Sequence, residues 1–423
     1  MGRYIVMDVV FYGNSLNYDQ GSGNYQELKK ITKWDGKQYT LVSRYALRYS
    51  ILETAKKVGL WDVADGSKLQ RAGEGEQTVI QPAEEILLSG EILKYPEFDL
   101  FGYLITSTTP QNFREAPVKI SHAVSLTPFA YDALFNANIG LANRMRKATG
   151  GMDPNPFTAE EHETYYQYSV VVDIEKIGKI EIYLAKTIKE GNKQRTMNSV
   201  EIKKDDKGNI DFKINYSRKN EPLKFKHRED VNKNIYISKL ILPFKENDNN
   251  VKFSEELKEY IEFNDNVGAM IIEYRLIDEK IKERVKELIK AIFNLKRSIK
   301  GRDEDLSPKL MVIGLYKDAP YRTFKDKITL VDEYVSEEYD EIEEDEKDGK
   351  KVYRVRHRIT KSRKPVFEIE DGNLSGPRPL NENDVLNLIE NELFNAKQKK
   401  NVEKVEIFHD SSVTVKLPKH KDE

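Results

Sequence analysis

The chain has 423 residues, with 69 Lys and Arg against 71 Asp and Glu, and no cysteine. The missing thiols exclude disulfides, thiolate nucleophiles and cysteine-ligated zinc. The balanced charge excludes a nucleic-acid footprint spread over the whole molecule, so any such footprint is local.

The length gives room for roughly two to three domains. No stretch approaches the ~18 consecutive apolar residues of a membrane span, so no membrane partner is expected. The opening Arg3-Tyr4-Ile5-Val6-Met7 is too short and too soon interrupted for a signal peptide, which makes a cytoplasmic location the expectation.

In chain order, Arg3 to Phe11 reads as a buried strand, nearly continuous in apolar and β-branched residues. A polar loop from Asn14 to Asn24 follows, ending in Gly21-Ser22-Gly23-Asn24, and a turn falls at Asp35-Gly36. Ser43 suits a helix N-cap, and Leu47, Ile51, Ala55 and Val58 recur at helical spacing before Gly59, so a helix is predicted over Arg44 to Val58. Phe101 to Thr106 reads as a short strand and Ser107 to Ala116, with Pro110, as a loop or hairpin tip. Val118 to Leu126 alternates, placing Val118, Ile120, His122, Val124 and Leu126 on one face. Residues 128–148 read as a helix ending near Gly150-Gly151, and Tyr165 to Ile174 and Lys179 to Lys186 as strands joined at Gly178.

Residues 187–235 are polar, rich in Lys and Asn, and read as a surface insertion. Ile235 to Leu242 predicts a strand, Glu279 to Ile299 a helix, and Leu310 to Tyr316 a strand. The run Asp332 to Asp348 is strongly acidic and Lys350 to Lys364 strongly basic. These two runs fit a solvated charged segment, the reading preferred here, and also a self-pairing hairpin or a docking surface. An amphipathic helix is predicted near Glu382 to Lys397. Together the parts suggest an α+β domain with a mostly antiparallel sheet.

Few residues carry chemistry. The loop amides, with Asn and Ser side chains, Lys29, Lys30, Arg44 and Arg48, suit a phosphate track, and Tyr18, Tyr25 and Tyr45 suit base stacking. The reading preferred from the residues alone is a flexible surface loop before an ordinary helix with solvated arginines. Asp19 is a lone carboxylate, whereas a two-metal site needs several converging ligands. His122, on the apolar face of its strand, reads as a hydrogen-bonded core histidine. His162 lies beside Glu160, Glu161 and Glu163 with nothing else to mark a site. No phosphate-binding glycine motif, nucleophile elbow or H-E-x-x-H pattern exists.

The order Asn17-Tyr18, Gly23-Asn24, Leu28-Lys29-Lys30-Ile31, Asp35-Gly36 and Val42-Ser43-Arg44 to Ala46-Leu47-Arg48 resembles the CRISPR-associated DevR autoregulator family. A second block, Phe101-Gly102-Tyr103-Leu104 and then Arg114 to Leu126, resembles the thumb and return strand of the same family. That resemblance implies an RRM-like (ferredoxin-like) antiparallel sheet palm with an inserted helical domain and a thumb hairpin. It implies a non-catalytic backbone subunit of a type I-B Cascade complex, without cofactor or metal. Its partners would be a CRISPR guide RNA, target DNA paired through that guide, further copies of itself and other Cascade subunits.

Carried onto this sequence, Asn17, Asn24, Lys29, Lys30, Ser43, Arg44 and Arg48 would hold guide phosphates. Tyr103, Leu104 and Ile105 would form the wedge at a displaced nucleotide. The implied divisions are 1–59 for the first part of the palm, 60–100 an insertion, 101–126 thumb and return strand, and 127–164 a helical insertion. Palm strands at 165–186, a surface insertion at 187–235, the rest of the palm at 236–330 and a charged region at 331–423 complete the chain. Two other activities stay open. One is a metal-dependent target-RNA endonuclease with Asp19 as carboxylate. The other is a transcriptional autoregulator, although no helix-turn-helix is visible.

Overall fold

The computed structural model describes residues 2–418 apart from 74, 76, 77, 151–155, 191, 220, 230–232, 348, 349, 372, 373 and 396–400. It is a mixed α+β molecule. The elements that position the site are, in order, β1 (Arg3–Asn14), β2 (Lys30–Thr32), β3 (Gln38–Val42) and α1 (Arg44–Lys57). Next come β4 (Tyr103–Ile105), β5 (Asn112–Arg114), β6 (Val118–Ile120), β7 (Ala123–Ser125), α2 (Ile139–Thr149), β8 (Glu163–Asp173) and β9 (Lys179–Ala185). The last are α3 (Asp278–Phe293), β10 (Leu310–Lys317), β11 (Ile328–Lys347), β12 (Lys350–Ile369) and β13 (Val402–His409).

β1 is the centre of a nine-stranded sheet. It pairs antiparallel with β8 on one side (Met7 opposite Val170) and with β10 on the other (Met7 opposite Ile313). Outward from β8 lie β6 and β7, then β3 and β2; outward from β10 lies β13. Ile5, Met7, Val9 and Phe11 of β1 face α1 and α3, which contribute Leu47, Ile51 and Ala55 and Ile281, Val285, Leu288 and Ile292. Val10 faces the other way, into a second core with Leu310, Val312, Phe324, Ile328, Phe367 and Ile369. A strand buried on both faces explains why β1 reads as a continuous apolar run.

Several expectations are corrected. Val58 is not a core position: it caps α1 and is 53% exposed, because the helix stops one residue earlier. Residues 128–148 are helical only in their second half. Ala133–Asn136 is a strand paired with Phe157–Glu160, and α2 starts after Asn138, whose side chain accepts from Leu141 N at 3.2 Å. α3 ends at Phe293, because Lys296–Ile299 turns into a hairpin with Arg302–Asp305. Within 187–235, read as a polar surface insertion, the chain is ordered into strands with a buried apolar face. Strands Thr187–Glu190, Lys193–Lys204, Ile210–Tyr216 and Leu223–His227 form a sheet that buries Val200, Ile202, Phe212 and Ile214, with Phe212 and Phe225 stacked at 4.6 Å. The predicted helix at 382–397 is seen to Phe394 as an α-helix and a π turn; 396 and 397 lie outside the described residues, as does Gly151.

The acidic and basic runs are one long antiparallel hairpin, registered from Ile328 opposite Ile369 to Lys347 opposite Lys350. The self-pairing arrangement therefore replaces the preferred picture of an unpaired charged segment. Arg356 pairs with Glu343 at 3.2 Å and His357 with Asp340 at 3.0 Å, and Arg358 and Lys351 meet Glu341 and Glu344. At ~3.3 Å per residue, strands of this length make an arm of about 65 Å. Its root is buried through Ile328, Phe367 and Ile369, whereas Ile342, Tyr353 and Val355 further out are more than 60% exposed.

Phe367 is fully buried and meets Tyr165 edge-on at 5.2 Å. Phe367→Ala is expected to cost about 3–5 kcal/mol in urea unfolding. It should also speed proteolytic cutting of the arm under native conditions, which limited digestion would read.

Candidate nucleic-acid interface

Helix α1 follows β3 directly, with Ser43 between them. Its Oγ accepts from Ala46 N at 3.2 Å, so the hydroxyl is engaged as the N-cap. Arg44, Tyr45, Arg48 and Tyr49 occupy the exposed side of the first turns. The Arg44 guanidinium lies 5.0 Å from the Tyr45 ring centre and donates to its hydroxyl at 3.1 Å, which lowers the Tyr45 phenol. The Arg48 guanidinium lies 5.8 Å from the Phe101 ring. A groove of about 350 Å³ runs between these side chains and Val118, Lys119 and Ile120.

β6 and β7 are one strand interrupted by a bulge. Ile120 lies opposite Val170 and Val124 opposite Gln167, so four residues on one side match three on the other. The bulge is held by Ser121 N donating to Ser169 O and Ser169 N donating to Ser121 Oγ, both at 2.9 Å. It switches the buried face, so that Ala123 and Ser125 are buried instead of His122 and Val124. His122 is thus exposed, not a core histidine. Its Nδ1 accepts from the Arg44 backbone N–H at 2.9 Å, which leaves the proton of a neutral imidazole on Nε2. Partial burial, then the Arg44 and Lys325 charges, hold His122 below the usual histidine range.

The loop residues divide sharply. Asn17 is buried; its Oδ1 accepts from Ser43 N at 3.3 Å and its Nδ2 donates to Tyr18 O. Lys30 forms an ion pair with the buried Glu160 at 2.5 Å, and Leu28 N and the Tyr25 hydroxyl donate to the same carboxylate. Asn17 and Lys30 therefore brace the loop, and their polar ends are not free for phosphate. Asn24 is exposed at the apex, and Lys29 lies 3.5 Å from Asp19. His162 is half-buried and meets Thr40 Oγ1 at 2.7 Å; burial lowers its pKa. Among the described residues no group of three His, Cys, Asp or Glu is arranged to hold a metal ion.

The expected thumb at 101–126 is not a projecting arm. β4 and β5 form a hairpin laid against β9: Asn112 exchanges hydrogen bonds with the Tyr183 backbone, and Ala185 N donates to Thr109 O. Arg114 is locked at its base to the fully buried Asp99, which also receives Arg284 and Gly178 N. Gly102 allows the close return, since a Cβ there would sit 2.4 Å from Arg114 O at φ +75°. Ile105 is fully buried and cannot wedge a base, Tyr103 is half-buried, and Leu104 is exposed opposite Phe113. The projecting element is the β11–β12 arm.

A family model described as CRISPR-associated negative auto-regulator DevR/Csa2 matches residues 5–339. The chain belongs to this family. A Myxococcus xanthus (strain DK1622) protein, CRISPR-associated protein Cas7/Cst2/DevR, is 29% identical over 167 residues, covering 37% of this chain and 52% of that protein. The match thus spans about half the length of that relative. Among solved structures, a chain of a CRISPR RNA-guided surveillance complex, pre-nicking, aligns at TM-score 0.37 and 10% identity, over 75% of this chain and 80% of its own. A second CRISPR RNA-guided surveillance complex aligns at 0.35 and 10%, over 76% and 73%. The family assignment rests on the family model and not on these superpositions.

Two outcomes follow for the family member described here. Lys30→Met leaves Glu160 buried without its cation and is expected to cost about 3–5 kcal/mol, whereas Lys30→Met with Glu160→Met recovers only part of it in chemical denaturation, because Leu28 N loses its acceptor. For His122 the native pKa lies below the unfolded value of ~6.5, so the unfolded chain binds more protons between the two. Its contribution is present above ~6.5 and lost as pH falls through the native value. Thermal unfolding between pH 7.5 and 5 should show a smaller acid loss in His122→Asn than in the parent.

Proposed function

We propose that this chain is a non-catalytic, guide-RNA-binding backbone subunit of a type I-B Cascade complex. In this reading copies polymerise along a CRISPR RNA, beside other Cascade subunits, and present it for pairing with target DNA. The observation that carries it is the exposed pair Arg44 and Arg48 on the first turns of α1, above an aromatic groove. Phosphate contacts carry no sequence information, which suits a protein that must accept any guide. Weak contacts in each copy add up along one strand.

The palm of this reading is RRM-like, that is, ferredoxin-like. Its support is the chain order β1, α1, β6–β7, β8, α3, β10 with β1 between β8 and β10 and both helices on one face. The arm of β11 and β12 takes the role that the resemblance gave to 101–126. Asn24 remains exposed at the loop apex and Lys29 pairs with Asp19 at the loop base, while Asn17, Ser43 and Lys30 hold the loop and the helix start in place.

The family description as a negative auto-regulator favours one second reading, duplex binding at a promoter. Fluorescence polarisation with single-stranded RNA and duplex DNA at two salt concentrations separates them. Arg44→Ala with Arg48→Ala should weaken RNA binding and reduce the slope of log affinity against log salt by about 1.4. Unchanged affinity and slope would sink the phosphate assignment, and tighter binding to a defined duplex would favour the regulator.

A further inference from the structure

Arg297 is half-buried in the hairpin of Lys296–Ile299 and Arg302–Asp305. Its Nε donates to Leu16 O at 2.7 Å, and its Nη1 to Ser50 Oγ at 3.1 Å and Ala46 O at 3.4 Å. All three acceptors are neutral, and Arg297 forms no ion pair among the described residues. Arg114 and Arg284, by contrast, share the buried Asp99. A cation drawn partly out of water without an anion is costly, and its usual remedy is a counterion. Nη2 has no partner among the described residues, so the guanidinium is clamped on one side and open on the other.

Arg297 lines a groove of about 420 Å³ between α1 and the hairpin. The two walls are pinned together: Lys296 N donates to Thr54 Oγ1 at 3.1 Å, and that hydroxyl donates to Lys296 O at 3.3 Å. Lys57 and Lys296 also line the groove, exposed and without ion pairs among the described residues. Three carboxylates lie nearby. Glu53 and Asp303 line the groove, and Asp303 accepts from the Ser298 hydroxyl. Glu304, opposite Arg297 in the hairpin, is drawn instead to Asn14 N at 3.4 Å and Arg302 at 3.9 Å. None of the three pairs with Arg297, and only the Tyr49 hydroxyl opposes the lowering of its pKa by burial. The lining thus carries three cations against two carboxylates, an excess of one positive charge. That excess suits a singly charged oxyanion better than a dianion.

The groove lies on the flank of α1 that carries Tyr49, Glu53 and Lys57, whereas Arg44, Tyr45 and Arg48 line the groove on the other flank. Between them runs a ridge of Tyr45 and Tyr49, each 61% exposed. We propose that Arg297 Nη2, with Lys57 and Lys296, holds one singly charged phosphate group, a phosphodiester of the same strand that meets Arg44 and Arg48. This rests on the RNA-binding reading above and adds a second phosphate site across the helix from the first. The fixed fork of Arg297 supplies the geometry, and the two flexible lysines close over the anion.

The test leaves Arg297 in place, because it also braces the fold. Binding of a twelve-nucleotide oligouridine is read by fluorescence polarisation over a series of KCl concentrations. Lys57→Gln with Lys296→Gln should weaken binding about fivefold and reduce the salt slope by about 0.7, the share of one strand phosphate. Lys193→Gln with Lys207→Gln removes the same charge from the sheet at 187–227 and should change neither. Thermal unfolding with added inorganic phosphate at constant ionic strength should shift equally in the parent and the groove variant. RNA binding by the parent with an unchanged slope in the groove variant, or an equal drop in the 187–227 variant, overturns this proposal alone. A phosphate-induced rise in Tm in the parent only, with RNA binding unaffected by the groove variant, makes the groove a free-anion site and overturns the strand assignment. Absence of RNA binding by the parent overturns both this and the functional reading.

Discussion

Asp8 is a carboxylate in the middle of the central strand, with no exposed surface. Burial pushes its pKa up, opposed by the Ser169 hydroxyl on one oxygen and the Phe324 backbone N–H on the other, at 2.7 Å. A buried carboxyl without partners costs several kcal/mol, so the fold must deliver both. Ser169 comes from the paired strand β8, directly opposite. The Phe324 amide can come only from the chain returning over the outer face of the sheet after β10. Satisfying Asp8 therefore fixes where residues 318–327 run, and these lead straight into the arm. Asp371, just beyond the arm, closes the other side by pairing with Arg322 at 3.3 Å and Lys327 at 2.8 Å.

The same contacts reach the candidate interface. Ser169 exchanges hydrogen bonds with Ser121, the residue that makes the bulge, and the bulge turns His122 outward to accept from the first amide of α1. One line of polar contacts thus joins the root of the arm, the sheet centre and the helix start that presents Arg44. Asn17 braces that helix start from the opposite side through Ser43 N. The exposed arginines thus sit at a helix start held by hydrogen bonds from both sides.

Much of this was legible in the residues. Continuous apolar runs marked β1 and β10, and helical spacing with a Ser43 cap and Gly59 marked α1. The failures have physical causes. Alternation over 118–126 reads as one strand because a bulge shifts the buried face without any change in composition. The sheet at 187–227 hid because its outer face is Lys and Asp while only alternate residues, such as Ile210, Phe212 and Ile214, face inward. Lys30 looked free because its partner Glu160 lies 130 residues away, and no local pattern reports such a pair. The arm was ambiguous because opposite charge runs suit solvent and each other equally, and register alone decides.

The arm also resolves the near-zero total charge. Among the described side chains of the arm, Lys351, Arg356 and Arg358 pair with Glu344, Glu343 and Glu341 across the strands, so these charges are neutralised within the hairpin. Such surface pairs add little stability singly, but a ladder of them favours one register over its slipped alternatives. The arm is then a stiff projection with an apolar flank, Ile342 opposite Val355 with Tyr353 beside them, and not a polycation that would cling to any phosphate. A molecule of balanced charge thus carries exposed arginines at the start of α1 together with a hairpin whose exposed flank is apolar.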